Sequence, residues 1–460
     1  MMDLLRDPAL VRLFEEPGPY YTSYPSRSEW HDLQPQVVEQ VMDELAATGT
    51  GELPLGMYLH FPYCPKRCLY CICNTELALP DTDLDGFLNL LIREVSGFFR
   101  RLRRPGLHPV ITEIHLGGGS PSILSPEQFN RLLDGVSRAV DLARLAEFSV
   151  EVDPRSAAAA KFAAYRARGA SRVSFGIQDL NADVQRAIGR VHDVDLVRAG
   201  LEAARQAGFN SINFDMLYGL PRQTPDSFAA TIDEVIRLAP DRVTLLKYAH
   251  VPNIRAHQRT LDRHPFPTAE DRVRMFLASC RQFTQAGMVH VGIDHFAKPG
   301  DSLAKAYQAG HLSRNFIGFT PKRFDGIVGF GPTGTSQLGP LYYQNSGELA
   351  DYTAAVQADR MPVTFGYRMT DDDRVRADVI YTLLCKEELQ FADIEARHAL
   401  DFPLRFAREL EALKRWEDRR MVELQSDRLV VTSTGKFFLR HICKVFDRLL
   451  AEKEYRVVGP

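Results

Sequence analysis

From Pro54 to Gln337 the chain alternates runs that read as strands with runs that read as helices, and this alternation restricts the fold more than any other feature. The strand-like runs are residues 55–60, 110–116, 147–152, 172–178, 211–218, 242–250, 290–296 and 326–330. Between most of them lie helical runs at 84–103, 126–140, 157–168, 194–207 and 227–237. Strands joined through helices at this spacing lie parallel, because the helix carries the chain back to the edge where the last strand began. The choice is then between an open doubly wound sheet and a full or partial (β/α) barrel. Polar residues decide it. Ser149, Glu151 and Asp153 share one face of their run, and Phe148, Val150 and Val152 share the other. Ser174, Gly176 and Gln178 align in the same way, as do Asn213 and Asp215. A sheet covered on both faces would not tolerate so many polar groups, whereas a barrel collects them in its lumen near the strand C-terminal ends. The sequence predicts an α/β fold built on a partial (β/α) barrel.

Flanking segments differ in pattern. Residues 1–50 read as an irregular arm with one short helix at 36–47, and the stretch Gly-Pro-Tyr-Tyr-Thr-Ser-Tyr-Pro at 18–25 either packs on the core or reaches into a cleft. The barrel domain is expected over 51–361. Residues 362–460 are mostly helical, with a hairpin turning at Ser426-Asp427 between helices at 409–415 and 437–450, a winged-helix-like order.

Seven cysteines include four within ten residues: Cys64, Cys68, Cys71 and Cys73. The first three are spaced C-x3-C-x2-C, directly after a strand. Three thiolates on one short loop can hold three irons of a [4Fe–4S] cluster and leave the fourth iron open. An open iron can bind S-adenosylmethionine and pass it an electron, which is radical chemistry. Structural zinc is the competing occupant, since thiolates suit either metal and Cys73 could supply a fourth ligand. Cys280, Cys385 and Cys443 are scattered in apolar surroundings and read as buried thiols rather than a disulfide framework. A reducing, cytoplasmic compartment fits both readings. Net charge is −3, which gives no electrostatic case for nucleic acid or a membrane surface. No apolar run is long enough to span a bilayer, and Met1–Arg6 lacks a signal peptide's apolar core.

Other residues at strand tips carry chemistry. The triplet Gly117-Gly118-Gly119, followed by Ser120 and Pro121, lets backbone approach a ligand closely, though a tight turn needs no more. Glu151 and Asp215 suit the amino group and ribose hydroxyls of a nucleoside amino acid, or are salt-bridge partners. Gln178 can hydrogen-bond a ligand and Arg190 can pair with a carboxylate. His60 is either a packed core histidine or a proton-handling group.

Taken together, these motifs closely resemble the oxygen-independent coproporphyrinogen III oxidases, radical S-adenosylmethionine enzymes of haem biosynthesis. The likeness runs through Tyr21-Thr-Ser-Tyr-Pro25, the cysteine loop with its extra C-x-C to Asn74, Gly117–Pro121, Glu151-Val-Asp-Pro-Arg155, Ser174–Asp179, Asp215–Thr224, Tyr248–Pro252, Gly292–Ala297 and Val431–Gly435. The resemblance implies that Cys64, Cys68 and Cys71 hold the cluster while Cys73 does not. It implies that Tyr58, Tyr70, Gly118, Gly119, Ser120, Glu151, Gln178, Arg190, Asp215, Ala249 and Thr335 line one or two S-adenosylmethionine molecules. Tyr58, His60 and Glu151 are the candidate catalytic residues. The implied reaction converts two propionates of coproporphyrinogen III to vinyl groups, with an external electron donor, in a monomer. Three positions depart from the family pattern: Tyr20 stands where an Arg is usual, Ile317 replaces a Gln, and Thr335 replaces an apolar residue. Losing an Arg from a site that holds carboxylates is not conservative, so Arg314, Lys322 or Arg323 compensates or the substrate differs. Two other readings stay open: a related radical enzyme on another tetrapyrrole, such as an anaerobic haem-opening methyltransferase, and a haem chaperone.

Overall fold

A computed structural model describes residues 7–48, 51–321 and 325–450. The expectations for Met1–Arg6, Lys322 and Arg323 lie outside the described residues. Seven strands run parallel: β1 (Gly51–Phe61), β2 (Leu107–Gly118), β3 (Glu147–Val152), β4 (Arg172–Gln178), β5 (Ser211–Tyr218), β6 (Arg242–Lys247) and β7 (Gly326–Phe330). They stand in the order β7-β1-β2-β3-β4-β5-β6. Beyond β7 the sheet continues antiparallel through Thr335–Leu338, Leu341–Asn345, Val363–Arg368 and His31–Asp32. Beyond β6 it continues through His295–Ala297 and Val289–Val291. Among the described residues no pairing joins the two ends, so the barrel is partial, as the polar strand faces predicted.

Two of the crossover helices begin at capping signals carried by the sequence. Ser125 and Gln128 form a reciprocal capping box, with Pro126 in the first turn, and Thr224 and Ser227 repeat the device at the helix Pro225–Leu238. In the helix Pro126–Ala139, Phe129, Leu132, Leu133 and Val136 recur at helical spacing and are all buried. Phe129 stacks on Phe148 of β3 with ring centroids 6.0 Å apart. Burying each such side chain contributes about 1.5–3 kcal/mol, which fixes the helix over the outer face of the sheet.

The inner face is polar. Glu113 and His115 of β2, Glu147, Ser149 and Glu151 of β3, Arg172 and Ser174 of β4, Asn213 and Asp215 of β5, and Arg242 and Thr244 of β6 alternate with apolar residues. At the N-terminal end of the lumen the charges neutralise one another. Arg172 meets Glu147 at 2.7 Å and Arg242 meets Asp301 at 2.7 Å. Towards the C-terminal end the polar groups belong to the site described below.

Four expectations need correction. The run 290–296 is two short antiparallel strands, because Gly292 is left-handed (φ +58°) and a Cβ there would meet the Phe319 ring at 2.2 Å. The run 242–250 ends as a strand at Lys247. The run 437–450 is a 3-10 turn, Gly435–Phe438, and a short helix, Leu439–Lys444, after which Asp447 accepts the Leu449 and Leu450 N–H groups and holds a turn in place of helix. The arm holds a helix, Pro8–Glu15, capped by Asp7, that the expectation of one short helix left out. The strand Val363–Arg368 belongs to the main sheet, so we place the division from the C-terminal part after Arg368.

The arm packs rather than reaching into a cleft. Tyr21 and Tyr24 are buried, the Tyr21 hydroxyl donates to Asp447 at 3.2 Å, and Arg440 lies over the Tyr20 ring and donates to Gly18 O. On the barrel side Arg314 donates to Tyr20 O at 2.9 Å and Lys247 pairs with Glu15 at 2.8 Å.

Candidate active site

The cysteine loop leaves the C-terminal end of β1 and lies against the glycine triplet at the end of β2. Three glycines are needed there because three different groups occupy the space a side chain would take. A Cβ on Gly117 would meet Glu151 Oε1 at 2.5 Å, one on Gly118 the His60 ring at 2.5 Å, and one on Gly119 the Tyr63 carbonyl at 2.7 Å. Gly118 also sits at φ +105°, a conformation closed to L side chains. The Gly119 and Ser120 N–H groups donate to the Phe61 and Tyr63 carbonyls, which fastens the two loops together.

The thiols have distinct surroundings. Ser120 Oγ donates to Cys64 Sγ at 3.5 Å, and burial pushes the Cys64 thiol up to about 11. Cys68 is buried and faces two guanidinium groups, Arg190 Nη1 at 3.5 Å and Arg155 Nη2 at 3.9 Å. Both arginines share the carboxylate of Asp153, at 3.2 and 2.6 Å. Two positive charges and one negative leave one positive charge beside Cys68. Cys73, an exposed residue, lies beside Cys71 and lowers the Cys71 thiol to about 7.

A segment after β6 holds the loop backbone from the other side. Arg255 Nε donates to Ile72 O at 2.8 Å, His257 Nε2 to Cys71 O at 2.8 Å, and Gln258 Nε2 to Tyr70 O at 2.8 Å. Three successive carbonyls are thus taken by three side chains of one turn. Gln258 is fully buried and also ties Ala249 O and the Val251 N–H, so it joins Tyr70 to Ala249.

Below the loops, Glu151 accepts from His115 Nε2 at 2.9 Å and from the Gly118 N–H at 3.0 Å. Burial works against its charge, but these donors prevail and hold the carboxyl below its usual range. Asp215 accepts from Ser174 and Asn213 at 2.8 and 2.7 Å, yet burial dominates and raises it. His60 Nε2 faces the Asn74 carbonyl at 3.0 Å and so carries the hydrogen, which leaves Nδ1 to accept from Tyr58 Oη at 3.0 Å. Burial lowers the His60 pKa, so the ring is neutral. Gln178 ends β4 at φ +68° on a register shift, a strained position of the kind found where a side chain is aimed at a site.

The radical SAM superfamily description matches residues 58–235. The oxygen-independent coproporphyrinogen III oxidase of Pseudomonas aeruginosa is 37% identical over 98% of this chain and 97% of its own length, and that of Escherichia coli is 36% identical over 97% and 96%. A solved structure of the Escherichia coli coproporphyrinogen III oxidase, described as a radical SAM enzyme, superposes with a TM-score of 0.89 at 35% identity, over 96% of this chain and 99% of that one. This chain belongs to the oxygen-independent coproporphyrinogen III oxidases.

Members of this oxidase family use a [4Fe–4S] cluster and S-adenosylmethionine, and the residues present fit them. Three thiols on one loop, an excess positive charge at Cys68 and a hydroxyl donor at Cys64 are the chemistry an anionic iron–sulfur group needs. Among the expected site residues, the loops gather Tyr58, His60, Cys64, Cys68, Cys71, Gly118, Gly119, Ser120 and Glu151, and Gln258 brings Tyr70 and Ala249 together. Asp215 stands two strands from Glu151. Arg190 donates to Gly176 O, Asp153 and Cys68, so this structure spends it on the cysteine loop rather than on a free carboxylate. Thr335 lies apart, in the antiparallel extension, where its hydroxyl accepts from Gln344. Sequence reasoning missed His115, whose signal was its place two residues before the glycine triplet on the polar face. It also gave no role to Asp153 and Arg155, although both stand in a recognised motif. Arg255, His257 and Gln258 follow no strand or helix period and gave no signal.

Proposed function

We propose that this chain oxidatively decarboxylates two propionate side chains of coproporphyrinogen III to vinyl groups, giving protoporphyrinogen IX without oxygen. The observation that carries the reading is the convergence of Cys64, Cys68 and Cys71 with Glu151 and the glycine triplet at the C-terminal mouth of a polar lumen. A [4Fe–4S] cluster held there by Cys64, Cys68 and Cys71 would supply the electron for reductive cleavage of bound S-adenosylmethionine, and an external acceptor would take the one electron left as each propionate loses a β-hydrogen and CO2. The protein's part is to orient and to exclude water. Glu151, held ionised by His115 and Gly118, receives the ligand's ammonium group. The glycine backbone and Ser120 lie along its methionyl portion, and Asp215 and Gln178 reach the nucleoside. Tyr58, Tyr70, Arg190 and Ala249 complete the first cofactor's surroundings, and Thr335 belongs to a second. His60, neutral and bonded on both nitrogens, fixes Tyr58 and the end of the cysteine loop rather than moving a proton.

The reading includes a reducing cytoplasmic setting, an external electron donor and a working monomer. Among the described residues no helix is long and apolar enough to cross a membrane. Anaerobically reconstituted protein supplied with a reductant, S-adenosylmethionine and coproporphyrinogen III is expected to yield protoporphyrinogen IX, CO2 and 5′-deoxyadenosine. Cleavage of S-adenosylmethionine without protoporphyrinogen favours another tetrapyrrole, and stoichiometric haem binding without turnover favours a chaperone.

A further inference from the structure

His115 spends its hydrogen bonding on a single atom of the site. It stands on β2 two residues before the glycine triplet, is buried, and its Nε2 donates to Glu151 Oε1 at 2.9 Å. Its Nδ1 is buried as well and has no hydrogen-bond partner among the described residues. Ser149 stands opposite it on β3, yet the Ser149 hydroxyl is also buried and unpartnered. His60 shows what a bracing histidine does in this protein: one nitrogen accepts from Tyr58 and the other donates to Asn74 O. An unmatched buried nitrogen weakens a fold, and such departures from full pairing persist where a site needs a particular geometry.

The geometry is held from several sides. The Tyr58 ring stacks on the imidazole, with centroids 5.7 Å apart and planes at 22°. Tyr58 is tied in turn through His60 to Asn74, at the end of the cysteine loop. Gly117 leaves the space in which the two side chains meet, since a Cβ there would stand 2.9 Å from His115 Nε2 and 2.5 Å from Glu151 Oε1. The other carboxylate oxygen, Oε2, takes the Gly118 N–H at 3.0 Å. One protein donor on each oxygen fixes the plane of the carboxylate. About two of its four acceptor sites are left for the N–H groups of a ligand, already aimed before the ligand arrives.

We propose that His115 is the positioning residue of the cofactor site, which aims the Glu151 carboxylate at the amino group of S-adenosylmethionine and sets its place relative to the cysteine loop. The inference rests on the reading of Glu151 as the acceptor of that amino group, and it gives the task to a side chain that acts through Glu151.

Equilibrium dialysis on the anaerobically reconstituted protein compares S-adenosylmethionine with 5′-methylthioadenosine, which keeps the nucleoside and lacks the amino acid. H115L is expected to raise the S-adenosylmethionine Kd about tenfold, as losing a hydrogen bond to a charged group does, and to leave the methylthioadenosine Kd unchanged. H115Q, whose amide keeps an N–H donor, is expected to recover most of the loss. G117A, which keeps the imidazole and parts it from Glu151, is expected to behave as H115L does, and carries the test if H115L does not fold. Iron and sulfide content and the thermal midpoint check each variant. Equal weakening of both ligands in H115L and G117A overturns the inference, because a damaged lumen loses the nucleoside too. So does failure of H115Q to recover affinity. If E151Q weakens S-adenosylmethionine while H115L and G117A do not, the inference about His115 fails and the reading of Glu151 stands. Unchanged affinity in E151Q overturns that reading, and the inference with it.

Discussion

Cys64 and Cys73 lie on the same loop, yet their neighbours give them different work. Cys64 sits under the Ser120 hydroxyl against the glycine triplet, while Cys73 is exposed and lowers the neighbouring Cys71 thiol. Cys64→Ala is expected to reduce iron and sulfide to background after anaerobic reconstitution. Cys73→Ala is expected to retain both, and loss of iron in that variant would show that Cys73 is a ligand. Burial keeps Cys64 protonated at neutral pH, so loading must displace a proton there, and metal uptake is expected to quicken as pH rises. Arg155 and Arg190 act at the same scale. They draw charge density towards Cys68 and share one aspartate, so removing either leaves the other still paired.

The elements of this fold were legible where a period runs long enough to read. Strands at 147–152, 172–178 and 211–218 lie where alternation placed them, because one polar and one apolar face leave a strand only one register. The site was legible where it rides on those strands, as Glu151 and Asp215 do. It was not legible where irregular backbone supplies the contacts. Arg255, His257 and Gln258 bind three loop carbonyls from a 3-10 turn, and nothing in their spacing announces that these side chains point one way. Glu94, on the helix Leu84–Leu102, is a comparable case. It accepts from the Gly331 N–H at 2.8 Å, Tyr352 Oη at 2.7 Å and Asn345 Nδ2 at 2.6 Å, and so pins the loop after β7 to the helix. Burial outweighs those three donors and raises its carboxyl from the ordinary 4.5 to about 7. A raised acid favours the folded state fully below its unfolded pKa, and that advantage fades as pH climbs through the folded value. The unaltered protein is therefore expected to lose stability relative to Glu94→Gln between about pH 5 and pH 8, read as the difference in thermal midpoints. A constant difference across that window would remove Glu94 as the titrating group.

At the scale of the whole molecule, the arm is the part that touches everything. Its tyrosines are fixed by Asp447 and Arg440 of the C-terminal part, its acid Glu15 by Lys247 at the end of β6, and its backbone by Arg314. Tyr20 lies under Arg440, so the arm is held from the C-terminal side as well. Tyr21→Phe removes a donor from a buried carboxylate that burial already holds up at about 6. The loss is worth about 1–1.5 kcal/mol, so limited proteolysis within the arm is expected to quicken roughly five- to tenfold, with the barrel fragments left intact. Equal cleavage rates would mean that other contacts alone dock the arm. The turn at 255–258 has one more consequence. Arg255, His257 and Gln258 take three successive carbonyls of the cysteine loop, so its backbone is braced through contacts that do not pass through the thiols.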